Sequence, residues 1–321
     1  MVIVVMNHNN KNNGGGGVGV DDLRMDYYVT AGRRCPLADL VVRNTVNSHL
    51  QDDPTLVAPL LRLHFHDCFV QGCDASVLID STEENKAEKD SPANLSLRGF
   101  QVIDEAKEEL EKGCPGVVSC ADIVAMAARD AVFFAGGPYY EIPKGRKDGR
   151  RSRIEDTINL PSPTLNSSDL IAAFGSRGFT TQEMVVLSGA HTLGTARCAS
   201  FKQRLSGSGG THEVDPTIDS RFAEVLSRTC SAGDSTEQTL DSTRNEFDND
   251  YFNALQGKRG VLFSDQTLFA GPTTRGLVNG YAMNQALFFY HFQLAMVKMG
   301  TLDVKEKSQG EVRRNCRAVN S

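Results

Sequence analysis

Leu61-Arg62-Leu63-His64-Phe65-His66-Asp67-Cys68-Phe69-Val70 is the stretch on which the reading of this chain turns. Asp53-Pro54 stands just before it, a capping carboxylate followed by a proline at the first helical position, which predicts one helix from Pro54 to about His66. At roughly 100° per residue, Arg62 and His66 then share one face a turn apart, with Phe65 beside them and His64 on nearly the opposite side. A fixed cation next to a titratable base can take a proton from a small substrate and stabilise the charge that develops. His64 falls in line with Val57, Leu60 and Leu61 and is expected to be a core histidine. A metal-hydrolase reading of His-Phe-His-Asp needs a strand, where alternate residues share a face; in a helix His64 and His66 point apart.

The 321 residues, 40% hydrophobic and 23% charged, suffice for one large domain or two lobes. No apolar run reaches membrane-spanning length, and no membrane association is expected. The formal charge of −6 argues against nucleic acid as a partner. The eight cysteines are widely spaced without a Cys-x-x-Cys, which favours four disulfides and an oxidising compartment over a zinc ribbon. Connectivity stays open at this stage, and only Cys68 and Cys73, around Gly72, suggest a pair directly. Met1 to Met6 is too short for the apolar part of a signal peptide, and the polar, glycine-rich run after it makes residues 1–24 a disordered tail. A leader lies upstream or has been removed or rewritten.

From Met25 onward the pattern is mostly helical. Pro36 to Leu50 is expected to bury Leu37, Leu40, Val41 and Val46, while Val70 to Ser96 reads as a loop region with few core residues. Helices are expected over Phe100 to Glu111 and Ser119 to Phe134, the latter with Ser119 and Asp122 as a capping box. Tyr139 to Leu165 is irregular, and its six basic residues between Lys144 and Arg153 read as a solvated loop, with an anionic-polymer site as the other reading. Thr180-Thr181-Gln182-Glu183 is a second capping box, opening a helix that runs into Ser188-Gly189-Ala190-His191-Thr192. Further helices are expected from Asp215-Pro216, over Asp248 to Gln256, Thr273 to Tyr281 and Asn284 to Met299.

Arg62 to Ser76 resembles the distal motif of the secreted plant haem peroxidases, the class III family, and Leu187 to Gly194 resembles that family's proximal-histidine motif. Val118-Ser119-Cys120-Ala121-Asp122-Ile123, Phe247-Asp248-Asn249 and Ser264-Asp265-Gln266 also match in order, so the resemblance covers residues 25–321. It implies a mostly α, two-lobed fold with little β and one haem b between a distal and a proximal lobe. It implies His191 as the axial ligand of the iron, Asp265 as acceptor of its other ring N–H, His66 and Arg62 as the acid-base pair that works on hydrogen peroxide, and Asn94, backed by Glu88, as the group orienting His66. Phe65 would lie against the haem, and Pro161 at the channel mouth where phenolic donors arrive.

The resemblance further implies two Ca²⁺ ions. The first would take Asp67, Asp74 and Ser76 side chains, Val70 and Gly72 carbonyls, and Glu88 through water. The second would take Thr192, Asp241, Thr243, Asp248 and a carbonyl near Glu246, in a loop one residue shorter than the family's usual spacing. Disulfides Cys35–Cys114, Cys68–Cys73, Cys120–Cys316 and Cys198–Cys230 are implied, as are a monomer and an extracellular, cell-wall or vacuolar location. Tyr140 sits where many members carry their single tryptophan. Of the other histidines, His8, His49, His212 and His291 lack a setting like that of His191, beside the small Gly189-Ala190 that would admit a flat cofactor. A haem-binding or cell-wall structural protein without turnover is the alternative.

Overall fold

The computed structural model describes residues 23–30, 34–205, 213–305 and 308–321. The expected tail, residues 1–24, falls outside this range apart from Leu23 and Arg24. His8 and His212 lie outside it as well. Arg24 belongs to the folded part, where its backbone exchanges two hydrogen bonds with Lys144.

Among the described residues the chain forms α1 (Ala38–Asp52), α2 (Val57–Val70), α3 (Phe100–Gly113), α4 (Cys120–Phe134), α5 (Ser167–Gly175) and α6 (Thr181–Ser188). Then follow strand β1 (Thr195–Arg197), α7 (Ser220–Cys230), strand β2 (Glu237–Thr239), α8 (Asp250–Gln256), α9 (Phe263–Ala270), α10 (Pro272–Met283) and α11 (Gln285–Met299). The helices form two lobes. In one, α4 is the buried centre, packed by α1, α2 and α3; in the other, α6, α8, α9, α10 and α11 pack together, with α5 against α6 and α9. Alanine-rich α4 is buried along nearly its whole length, because small side chains let three helices approach it closely. A smaller apolar cluster, including Phe201, Leu226 and Leu240, lies under the antiparallel β1–β2 pair.

Capping residues mark the helix starts. Asp53 accepts from Thr55 N ahead of α2, Ser119 from Asp122 N at α4, Asn166 from Ser168 N and Asp169 N at α5, and Asn284 from Leu287 N at α11. The Thr180–Glu183 box closes in both directions. The one at Ser119 is half formed: the Asp122 carboxylate turns away to accept from Tyr28 Oη, Gly145 N and Arg146. A buried guanidinium that needs a counter-charge outweighs a single capping bond.

Other expectations are corrected. Leu37 and Leu40 are 60% and 51% exposed; the packed stripe of α1 is Ala38, Val42, Thr45 and Val46, whose small first member lets the helix lie close to its neighbours. Val70 to Ser96 holds more core than expected: Ala75, Val77, Leu78 and Ala87 are fully buried in or beside two short 3₁₀ turns, while residues 80–84 are exposed. The basic run is solvated only in its second half: Lys144 and Arg146 are buried against Asp39 and Asp122, whereas Arg150, Arg151 and Arg153 are exposed, the first two pairing with Glu311 and Asp156 at the surface. Pro216 lies in a turn, and α7 starts four residues later on an Asp219 cap. Helices α5 and α9 and both strands were not expected from the sequence.

All four disulfides have the expected connectivity. Cys120–Cys316 spans 196 residues and, with Arg146 donating to the Gly300 carbonyl, ties the C-terminal segment back to α4. Bridges over long loops typically contribute about 2–4 kcal/mol each.

Tyr140 is 6% exposed, and its hydroxyl has no partner among the described residues. Aromatic packing is kept there, but a buried unpaired hydroxyl is costly. Tyr140→Phe should therefore stabilise the protein by about 1 kcal/mol, read as a higher denaturant midpoint at unchanged slope.

Candidate active site

A cavity of about 790 Å³ opens between the two lobes, lined from one side by Arg62, Phe65 and His66 and from the other by Ala190, His191 and Asp265. That volume suits a cofactor-sized ligand.

On the first side, α2 runs on past His66 to Val70, and the expected pairing is met. Arg62 Nε donates to His66 Nε2 at 3.0 Å, while its two terminal nitrogens donate to Ser96 Oγ at 2.8 Å and the Ala93 carbonyl at 2.9 Å. His66 Nδ1 lies 2.6 Å from Asn94 Oδ1, and Asn94 Nδ2 donates to the Glu88 carbonyl at 2.8 Å. With Nδ2 spent on a carbonyl, Oδ1 must accept, so the His66 proton sits on Nδ1 and the lone pair on Nε2. Burial, and then the Arg62 charge, push His66 down to about 3, which keeps it neutral. Arg62 is itself lowered to about 10 by burial and by Arg197. Glu88 backs Asn94 through its backbone carbonyl.

His64 is buried on the opposite face of α2, as expected, and burial followed by the Arg146 charge lowers it to about 3. The two histidines do not converge, which removes the metal-hydrolase reading.

On the second side, α6 ends in a 3₁₀ turn, Gly189–Thr192, that carries His191 into the cavity, where its side chain is 42% accessible. His191 Nδ1 donates to Asp265 Oδ1 at 2.8 Å, leaving Nε2 toward the cavity without a protein partner. Burial alone would lower this imidazole; the Asp265 charge and hydrogen bond outweigh it, and the net shift is upward. Gly189 serves a purpose other than the one expected. A Cβ there would stand 2.5 Å from the Phe288 ring, so its smallness lets α6 pack on α11, and Ala190 is the small residue that faces the cavity. Asp265 lies in the first turn of α9 and also accepts from Tyr251 Oη at 3.0 Å.

Pro161 lines the cavity, as expected, within Leu160 to Thr164. Sequence reasoning missed Ser96, Tyr251 and Arg197, the last carried in by β1. Arg197 left only a weak trace in the sequence, a cation six residues beyond His191 at the end of a strand too short to register as one.

The loop beyond α2 gathers oxygens that lack partners. Among the described residues, Asp67 Oδ1, Ser76 Oγ and both Glu88 carboxylate oxygens are buried without a hydrogen bond. Burial raises Asp67, Asp74 and Glu88, Glu88 to about 9, and the Asp67 charge adds to the rise at Glu88. Among the described residues no three His, Cys, Asp or Glu side chains form a metal cluster by themselves; the set here is of mixed oxygens. Gly72, between Asp67 and Asp74, has φ +95°, and a Cβ would strike Asp303. Lys305 Nζ stands 3.3 Å from Asp74 Oδ2.

The second expected set also converges. Thr192 Oγ1 lies 2.6 Å from Asp241 Oδ2 and 3.0 Å from Asp248 Oδ1, and Thr243 Oγ1 lies 3.2 Å from each of the two aspartates. Burial, together with the charges of Asp248 and Asp250, raises Asp241 to about 6. Asn94-Leu95-Ser96 and Asn166-Ser167-Ser168 both have the N-glycosylation pattern; Asn166 is exposed, and Asn94 is buried beside His66.

The peroxidase family model matches residues 42–284. Peroxidase 47 of Arabidopsis thaliana is 67% identical over 298 residues, covering 93% of this chain and 89% of that relative. Peroxidase 66 of Arabidopsis thaliana is 47% identical over 290 residues, 89% of each chain. Peroxidase 5 of Vitis vinifera is 47% identical over 305 residues, 93% of this chain and 92% of that relative. With matches of this extent falling on a two-lobed helical fold that sets two histidines across one cavity, the chain belongs to the class III plant peroxidases, enzymes that oxidise donors at the expense of hydrogen peroxide.

Proposed function

We propose that residues 25–321 form one catalytic domain whose cavity would hold haem b, with His191 Nε2 to ligate its iron and Phe65 to line its place. The observation that carries this reading is the pair of opposed imidazoles with opposite polarity: Asn94 leaves His66 a base, and Asp265 leaves His191 a strong donor toward the cavity. Arg197, a cavity guanidinium, suits an acidic substituent of the cofactor. Bound there, haem supplies an iron that passes two electrons to peroxide and recovers them singly from two donor molecules.

The chain's own groups handle the protons. His66 Nε2 takes one from the near oxygen of hydrogen peroxide and delivers it to the far oxygen, which departs as water. Arg62, anchored on Ser96 and Ala93, stabilises the peroxide anion and then the leaving oxygen. Asn94 holds the proton on Nδ1 throughout, so Nε2 is the atom that accepts and returns the peroxide proton. Asn94→Val should lower the rate with peroxide by about 10–100-fold, read by stopped-flow absorbance, because Nδ1 loses its acceptor and the ring its orientation.

Small phenolic donors reach the haem edge past Pro161. Two Ca²⁺ ions occupy the oxygen sets: Asp67, Asp74, Ser76, the Val70 and Gly72 carbonyls and Glu88 through water at one, and Thr192, Asp241, Thr243 and Asp248 at the other. The unpartnered buried oxygens of the first set support this, since a dry nest of acceptors is costly until a cation fills it. The four disulfides suit an oxidising compartment, and we place the protein outside the cell or in the vacuole, as a monomer.

The visible spectrum of the purified, calcium-loaded protein tests the reading. A Soret band that changes with one equivalent of hydrogen peroxide and returns with a phenol is expected. A band indifferent to peroxide would favour haem binding without turnover, and a folded protein with no band would refute the role of His191.

A further inference from the structure

Asp265 Oδ1 is a shared acceptor. It takes the His191 Nδ1–H at 2.8 Å and the Tyr251 hydroxyl at 3.0 Å. Asp265 and Tyr251 are 2% and 1% exposed, so neither hydrogen bond is screened. The two donors come from separate elements. His191 arrives on the turn after α6, and Tyr251 from the first turn of α8, its ring edge-on to the imidazole with centroids 6.2 Å apart at 79°. Phe252, next in the chain, is fully buried against Tyr281 and Phe288, which fixes the helix that aims the tyrosine. Packing alone does not demand a hydroxyl at such a place, for Tyr140 is buried in this protein with its hydroxyl unpaired.

A carboxylate oxygen that accepts from two donors divides its negative charge between them. Each bond weakens its pull on the other proton. The Tyr251 hydroxyl therefore limits how far Asp265 draws the proton from His191 Nδ1. That proton sets how much negative charge the imidazole offers through Nε2.

We propose that Tyr251 is a positioning residue that moderates the Asp265–His191 hydrogen bond and so sets the reduction potential of an iron held by His191. This inference rests on the reading of His191 as axial ligand. It concerns the proximal side only, and predicts an effect on the iron that reaches substrate chemistry without any contact between Tyr251 and substrate.

The test uses the full-length holoprotein carrying Tyr251→Phe, and a second variant in which 3,5-difluorotyrosine, a stronger donor of nearly the same shape, replaces Tyr251. Two quantities are read: the ferric/ferrous midpoint potential by spectroelectrochemistry, and the iron–imidazole stretching frequency of the ferrous protein by resonance Raman. With Phe, Asp265 is freed to pull harder on His191, so the midpoint should move to a more negative value and the stretch to a higher frequency. With difluorotyrosine both should move the opposite way. The difluorotyrosine protein still reads the proposal if the Phe variant does not fold.

Unchanged values in both variants would overturn the proposal. So would a positive midpoint shift with Phe, which would mean that Tyr251 only props Asp265 in place. Absence of an iron–imidazole band in the unsubstituted protein would defeat the axial-ligand reading and this inference together, whereas a band present but unmoved defeats this inference alone.

Discussion

His66→Leu should slow the reaction with hydrogen peroxide by about three to four orders of magnitude, at the upper end of what a single acid-base group supplies. The substitution leaves the fold in place: Leu suits a helix, and position 66 is buried. It removes Nε2, the atom to which Arg62 Nε now donates, and with it the only neutral base on that side of the cavity among the described residues. Arg62 remains held by Ser96 and Ala93, so what is lost is proton transfer and not the cation. The second-order constant from stopped-flow absorbance, with the Soret band as a check on haem content, measures this. A variant with the unsubstituted rate would refute the assignment of the base. In the unsubstituted protein the lowered value of His66 places its protonation far into acid, so the rate should be flat through neutral pH and fall only toward about pH 3.

Removing calcium should cost stability on a comparable scale. An ion present at a thousand times its dissociation constant stabilises by about 4 kcal/mol, which for a chain of this size corresponds to a melting temperature lower by on the order of 10 °C after chelation. The pH dependence carries the sign. Without the ion, Glu88 stays protonated in the folded protein up to about 9, against an ordinary value of 4.5. A raised folded value means that its contribution is intact below about 4.5 and is lost as pH climbs toward 9. Chelated protein should therefore melt progressively lower across that window, and calcium should restore most at its alkaline end, where the fewest protons remain to be displaced by the ion. Melting curves with and without chelator at several pH values decide the matter. Equal curves would mean that the unpartnered oxygens of Asp67, Ser76 and Glu88 are not an ion site.

Much of the site was legible in the sequence because it is built from local spacing. Arg62 and His66 needed only the Asp53-Pro54 start and the helical repeat to be placed together, and the structure sets them 3.0 Å apart. The Thr180–Glu183 box fixed where α6 begins, and hence the phase at which its end delivers His191. Resemblance then supplied what spacing could not: Asn94 for His66, Asp265 for His191 and three of the four disulfides join residues far apart in the chain, and only Cys68–Cys73 was legible from spacing. The resemblance named Glu88 behind Asn94 without an atom, and the structure supplies it, the backbone carbonyl.

What the sequence determined by itself is the set of helices with strong caps and the face each presents near its cap, because these depend on neighbours within a turn or two. Tertiary structure alone decided the rest. Leu37 and Leu40 face solvent because Ala38 lets α1 approach its neighbours on another side. Within the basic run from Lys144 to Arg153, Lys144 and Arg146 are buried because Asp39 and Asp122, both well outside the run, neutralise them. Tyr251 meets Asp265 only once α8 has packed beside α9. In each case the deciding energy is burial of a charge or of apolar surface against a partner distant in sequence, and a linear reading holds no distance between such partners.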